Sequence, residues 1–112
     1  MEDNKKYNGW VNRETWCIHL WLTSDEALYS LTKKLLLDLK KEREIQQVDI
    51  DFGMVAYAII ETMHKYISAM NISNDEKYRP YVEGWMKLRS DTGDISKVDK
   101  PELSEALMEL IE

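Results

Sequence analysis

Residues 23–43 read TSDEALYSLTKKLLLDLKKER, and the spacing of their leucines decides the class of fold. Leu28, Leu31, Leu35 and Leu39 step by 3, 4 and 4, which places them on one side of a 3.6-residue helix and not on the alternating faces of a strand. Thr23, with Glu26 three residues later, reads as a capping box that starts the helix. Lys33, Lys34, Lys40, Lys41 and Arg43 face elsewhere or crowd the C-terminal end, where the helix dipole favours cations.

The same period recurs on both sides of this stretch. Upstream, Asn8-Gly9 is a turn dipeptide, and Asn12 is a good N-cap for a helix of roughly ten residues through Leu22. Trp16, Leu20 and Trp21 fall together on its expected core face. Downstream the pattern lapses over residues 44–51, where Asp49 or Asp51 can cap a third helix running to about Met70. Its stripe is Val55, Ile59, Met63, Tyr66 and Met70. So much of residues 54–70 is apolar that burial on two sides is indicated, by other helices or by a second copy in a homo-oligomer.

Residues 71–75 have loop composition. A fourth helix is expected from Pro80 to Arg89 with Tyr81, Trp85 and Leu88 inward, and Gly84 weakens it by roughly 1 kcal/mol relative to Ala. Asp91-Thr92-Gly93-Asp94 then reads as a turn. The last helix has a full start signal, an Asp99/Glu102 cap with a Val98/Leu103 staple, followed by the stripe Leu103, Leu107 and Leu110. The expectation is an all-α, single compact bundle of about five helices over residues 1–112, with residues 1–6 as a disordered tail.

A chain of 112 residues and 13.3 kDa supports one core without metal or disulfide staples. A 44% apolar content is too high for a disordered acidic tail. Cys17 is the lone cysteine and cannot form an intramolecular disulfide, which points to a reducing compartment, with cytoplasm as the expected location. Neither a signal-peptide apolar region nor a membrane-length apolar run is present. Charge is uneven: the net value is −6, and residues 91–112 hold 7 acidic against 2 basic side chains. None of the stretches 1–50, 51–90 and 91–112 has a positive excess, which disfavours direct nucleic-acid binding.

Few residues carry recognisable chemistry. His19 and Cys17 are about 200° apart on a helix, too far around it to share a metal. Glu61 and His64 are compatible with acid–base work and equally with an exposed helix face. No phosphate loop, nucleophile elbow or triad order occurs, so no catalytic residue, cofactor or metal is assigned and a non-enzyme is expected. Arg13 stands out, because a cation in a first helical turn opposes the dipole. An ion pair with a carboxylate of another helix, or stacking on Trp10, would account for it.

Residues 7–16, Tyr-Asn-Gly-Trp-Val-Asn-Arg-Glu-Thr-Trp, with the Leu-Trp-Leu that follows, resemble the N-terminal signature of a family of small proteins from bacteriophages and other mobile elements. Val11 stands where Thr is common in that signature. The resemblance implies a setting, a phage-type protein acting inside a bacterial cell, and carries no catalytic roles.

In that setting the expected function is a non-enzymatic inhibitor or modulator that binds a host protein, such as a defence effector or nucleic-acid enzyme. Two contact modes are open. One uses Tyr7, Trp10 and Arg13 as an aromatic and cationic anchor. The other presents Glu102, Glu105, Glu109 and Glu112 as an acidic, nucleic-acid-mimicking stripe to a basic surface. Alternatives are an accessory protein that stacks single-stranded bases on Trp and Tyr beside the Lys33–Arg43 edge, and a small enzyme using His64 and Glu61.

Overall fold

In the computed structural model, which describes residues 7–47 and 52–112, the leucine-rich stretch forms α2 (Glu26–Gln46). It lies among α1 (Arg13–Ser24), α3 (Phe52–Ser73), α4 (Arg79–Thr92) and α5 (Lys100–Met108). Short 3₁₀ turns precede α4 and α5 and follow α5. The all-α bundle of five helices is thus the observed architecture. The expected tail at residues 1–6 and the expected caps Asp49 and Asp51 lie outside the described residues.

One core cluster draws on every helix. Leu28, Leu31, Leu35 and Leu36 of α2 meet Ile18 and Leu22 of α1, Val55, Ile59 and Met63 of α3, Trp85 and Leu88 of α4, and Leu103 and Leu107 of α5. Burying each such side chain contributes roughly 1.5–3 kcal/mol. The most extensive association among the described helices is α5 on α3, where the fully buried Ser104 hydroxyl accepts a hydrogen bond from Ala56 N–H at 2.7 Å. No described helix is long and apolar enough to cross a membrane.

Several local readings are corrected by packing. The α1 core face is Thr15, Cys17, Ile18 and Leu22, while Leu20 is 39% exposed and Trp16 is only half-buried. Bulk misleads here, because the small Thr15 and Cys17 are what fit beneath the neighbouring helices. Thr23 is no cap, since α1 continues to Ser24 and the Thr23 hydroxyl donates to His19 O. Asp25 is the single residue between the two helices. Its N–H closes α1 on Trp21 O, and its carboxylate accepts from Leu28 N–H to start α2. In α3, Tyr66 is 46% exposed and Ile67 takes the core position. That helix runs past Met70 to Ser73 and stops at Asn74, whose left-handed backbone (φ 57°) returns an N–H to Met70 O.

The fourth helix is also longer than its pattern suggested. Asp91 and Thr92 belong to α4, which ends at Gly93, where φ is +79°. Asp91 therefore stands on a rigid helix and not in a turn. At α5, Asp99 caps by accepting from Glu102 N–H at 3.0 Å. The return half of the capping box is replaced by tertiary bonds, as Asp99 N–H donates to Thr15 Oγ1 and Glu102 Oε1 accepts from Val11 N–H.

Candidate functional site

Tyr7 to Trp10 is a tight turn closed by two backbone bonds, Tyr7 N–H to Trp10 O at 2.9 Å and Trp10 N–H to Tyr7 O at 2.7 Å. Asn8 and Gly9 both have positive φ, 48° and 88°, as the Asn-Gly pair of a type I′ turn requires. The turn folds its two aromatics onto the outer side of α1. Tyr7 stacks at a tilt on Trp16, with ring centroids 4.9 Å apart, and Trp10 lies 4.7 Å from the ring of His19. Burial holds His19 below its usual imidazole range, while the Glu109 carboxylate acts in the opposite sense.

The polar residues that follow fasten α1 to the far end of the chain. Asn12 Oδ1 accepts from Thr15 N–H at 2.9 Å and from Thr15 Oγ1 at 2.7 Å, and its amide nitrogen donates to Lys97 O at 2.8 Å. Arg13 pairs with Asp91 of α4 at 3.1 Å, so the ion-pair account of this cation is the one realised. Asp91 also accepts from Trp21 Nε1 at 2.8 Å and from the Cys17 thiol at 3.4 Å. The Trp21 bond and then the thiol bond are the main reasons this carboxyl sits below its ordinary range, with Arg13 adding to them. Cys17 is fully buried, and its thiol is pushed up chiefly by that burial; the Thr92 hydroxyl works against the shift and Asp91 with it. These residues make a structural clamp with no poised nucleophile.

Trp10 belongs to a different place. With Gly9 it forms one wall of a groove of about 320 Å³ whose other wall is α5, presenting Pro101, Glu102, Glu105, Ala106 and Glu109. The aromatic turn and the acidic stripe, read in sequence as separate contact surfaces, are two sides of one groove. Val11 N–H, bonded to Glu102 Oε1 at 3.1 Å, fixes their separation. Glu105 and Glu109 are exposed, and among the described residues no cation lies within ion-pair distance of either.

Of the seven sequence-nominated residues, Trp10, Glu102, Glu105 and Glu109 line this groove. Tyr7 is used against Trp16, Arg13 against Asp91, and Glu112 lies beyond the groove. Sequence reasoning missed His19 beneath Trp10, and it missed Asp91, whose place on α4 was hidden by the Asp-Thr-Gly-Asp turn signal. A larger groove of about 540 Å³ runs between the start of α2 and α4. Lysines and carboxylates alternate around it, and Asp25 already serves as the α2 cap, so it presents no concentrated charge. Glu61 and His64 are both exposed on α3, and Cys17 is buried in α1, so the three do not converge.

The chain belongs to DUF7249, a family of unknown function, whose model matches residues 3–111. No curated protein and no solved structure shows a match to it.

Proposed function

We propose that this member of a family of unknown function is a non-enzymatic modulator that binds a host protein in phage-infected bacteria, through the groove between the Tyr7–Trp10 turn and α5. The observation that carries the reading is the union of Trp10, Glu102, Glu105 and Glu109 along one groove. A large aromatic ring next to the exposed carboxylates of Glu105 and Glu109 combines the residue type that dominates interface energetics with the charge that steers encounter.

The polar residues of the 7–16 segment support this choice of surface. Asn12, Arg13 and Thr15 are consumed in holding α1 to the segment before α5 and to α4, which leaves Trp10 as the side chain of that segment facing the groove. The phage setting rests on the resemblance of residues 7–16 to the mobile-element signature. A partner with a basic, nucleic-acid-binding surface, such as a defence effector or nucleic-acid enzyme, matches the acidic wall. On the opposite reading, as a nucleic-acid binder, the basic edge of α2 is already partly engaged. Lys34 pairs with Asp38 at 2.9 Å, and the Lys33 ammonium lies 5.1 Å from the centre of the Tyr29 ring.

Affinity capture from bacterial host lysate tests the proposal with three proteins. The wild type and a Lys40→Glu/Lys41→Glu control on α2 are expected to retain the same host protein, and Glu105→Lys/Glu109→Lys to lose it. Association with the captured protein should slow steeply between low and physiological salt. Capture unaffected by charge reversal in the groove, or an association rate indifferent to salt, refutes the assignment.

A further inference from the structure

We infer that the outer face of α3 is a self-association surface, on which a second copy of this chain packs its own α3 in antiparallel orientation. The surface shares no residue with the groove beside Trp10, so it stands apart from the modulator reading. Of the eight exposed large apolar side chains among the described residues, four belong to this one helix: Met54, Tyr57, Tyr66 and Ile72, the last of them 85% exposed. The opposite side of α3, with Val55, Ile59, Met63 and Ile67, already fills the core. The second buried side indicated by the composition of residues 54–70 is thus not supplied by the other described helices.

This outer face has both a period and a symmetry. Met54, Ala58, Glu61, Lys65, Ser68 and Ile72 step by 4, 3, 4, 3 and 4, the seam spacing of helices paired in a coiled coil. All are exposed except Ala58, which is half-buried. Turned end for end about Met63, the series maps onto itself. Met54 falls opposite Ile72 of the second copy, Ala58 opposite Ser68, and Glu61 opposite Lys65. Each contact therefore occurs twice, as a two-fold interface requires.

Charge fixes the direction of pairing. In the antiparallel pair each Glu61 has a lysine across the seam and its own Lys65 one turn on, so the four charges alternate in sign around the two-fold axis. A parallel pair would set Glu61 against Glu61 and Lys65 against Lys65, and like charges so placed disfavour it. Among the described residues neither side chain is in an ion pair within the chain. Ala58 and Ser68 are small, which lets the helix axes come within the usual roughly 8–10 Å and brings Met54 and Ile72 into contact at both ends. From Met54 to Ile72 the seam runs about 27 Å. One helix pair of that length lies at the low end of specific interfaces, so the dimer forms at high protein concentration and separates on dilution.

The test is sedimentation equilibrium of the full-length protein from about 10 μM to about 1 mM. The wild type is expected to pass from monomer to dimer over this range. Glu61→Lys gathers four cations at the two-fold axis and should weaken the dimer by at least about tenfold. Glu61→Lys/Lys65→Glu restores opposite charges across the seam and should recover most of the loss. Oxidation of Met54→Cys/Ile72→Cys should give disulfide-linked dimers, whereas Ile72→Cys alone should not, because the two copies of residue 72 lie at opposite ends of the seam. Cys17 is fully buried and takes no part, and the substituted positions are all exposed, so the fold is kept. A chain monomeric throughout the range, a dimer indifferent to Glu61→Lys, no recovery in the charge-swapped protein, or a cross-link pattern other than the one expected overturns the assignment. So does a monomer that retains a host protein through this face, with capture lost in Glu61→Lys. None of these results bears on capture through the groove, which Glu105→Lys/Glu109→Lys tests separately.

Discussion

Replacing Asn12 with aspartate separates two accounts of why an asparagine stands at the start of α1. As an N-cap alone, Asp is as good as Asn, and its charge at the helix N-terminus adds about 0.3–1 kcal/mol, so Asn12→Asp should be neutral or stabilising. The structure gives the side chain a second task. Its amide nitrogen donates to Lys97 O at 2.8 Å, across 85 residues of chain, and fastens α1 to the segment before α5. In the aspartate variant one oxygen still accepts from Thr15, and the other faces the Lys97 carbonyl at hydrogen-bond distance with no proton between them.

Loss of that bond and the opposition of two acceptors costs about 1–2 kcal/mol at a partly exposed site. After the dipole gain, the net expectation is a destabilisation of about 1 kcal/mol. For a chain of this size that lowers the melting temperature by roughly 4 °C. Asn12→Ala loses both the cap and the tether, about 2 kcal/mol together. Urea unfolding of the three proteins under one buffer condition measures the differences. An Asn12→Asp protein as stable as the wild type, or more stable, refutes the tether and leaves Asn12 as a cap.

Further expectations concern other joints of the bundle. A Cβ at Gly84 would lie 3.0 Å from Asp25 Oδ2 and 3.2 Å from its Cγ, and Asp25 is pinned as the α2 cap. Gly84→Ala should therefore destabilise by about 1 kcal/mol in urea unfolding, although helix propensity alone forecasts a gain of similar size; a measured gain would show that the cap moves freely. Asp91 is held below its ordinary carboxyl range in the folded state, so its contribution is present above the unfolded pKa and is lost as pH falls through the folded value. Stability measured from pH 6 down to pH 2 should fall less in Asp91→Asn than in the wild type, and parallel curves would remove the Trp21, Cys17 and Arg13 contacts as its cause. Thr32 Oγ1 is fully buried and makes no hydrogen bond among the described residues. Thr32→Val, which has nearly the same shape, should raise stability by about 1 kcal/mol; a loss would mean that the hydroxyl has a partner.

Helical class, the number of helices and most inward leucines could be read from period and caps, because those depend on neighbours within a turn or two. The α2 leucines and the α5 start at Asp99 are examples. Helix ends were less legible. Asn74 and Gly93 each terminate a helix through a positive φ, and each lies inside a polar stretch that reads as loop well before the true end. Which face of α1 is buried was not legible at all. Spacing permits either the Trp16/Leu20 side or the Thr15/Ile18/Leu22 side, and the choice depends on the room left beneath α4 and α5.

The candidate site divides in the same way. The sequence by itself determined its ingredients: an Asn-Gly turn that must bend tightly, a tryptophan just after it, and glutamates at helical spacing near the end of the chain. Only the tertiary structure decided that Trp10 and Glu105 share a groove, and that Arg13 is spent on Asp91. Periodicity acts within one helix, whereas the groove exists because two bonds, Val11 to Glu102 and Asp99 to Thr15, bring together segments more than eighty residues apart.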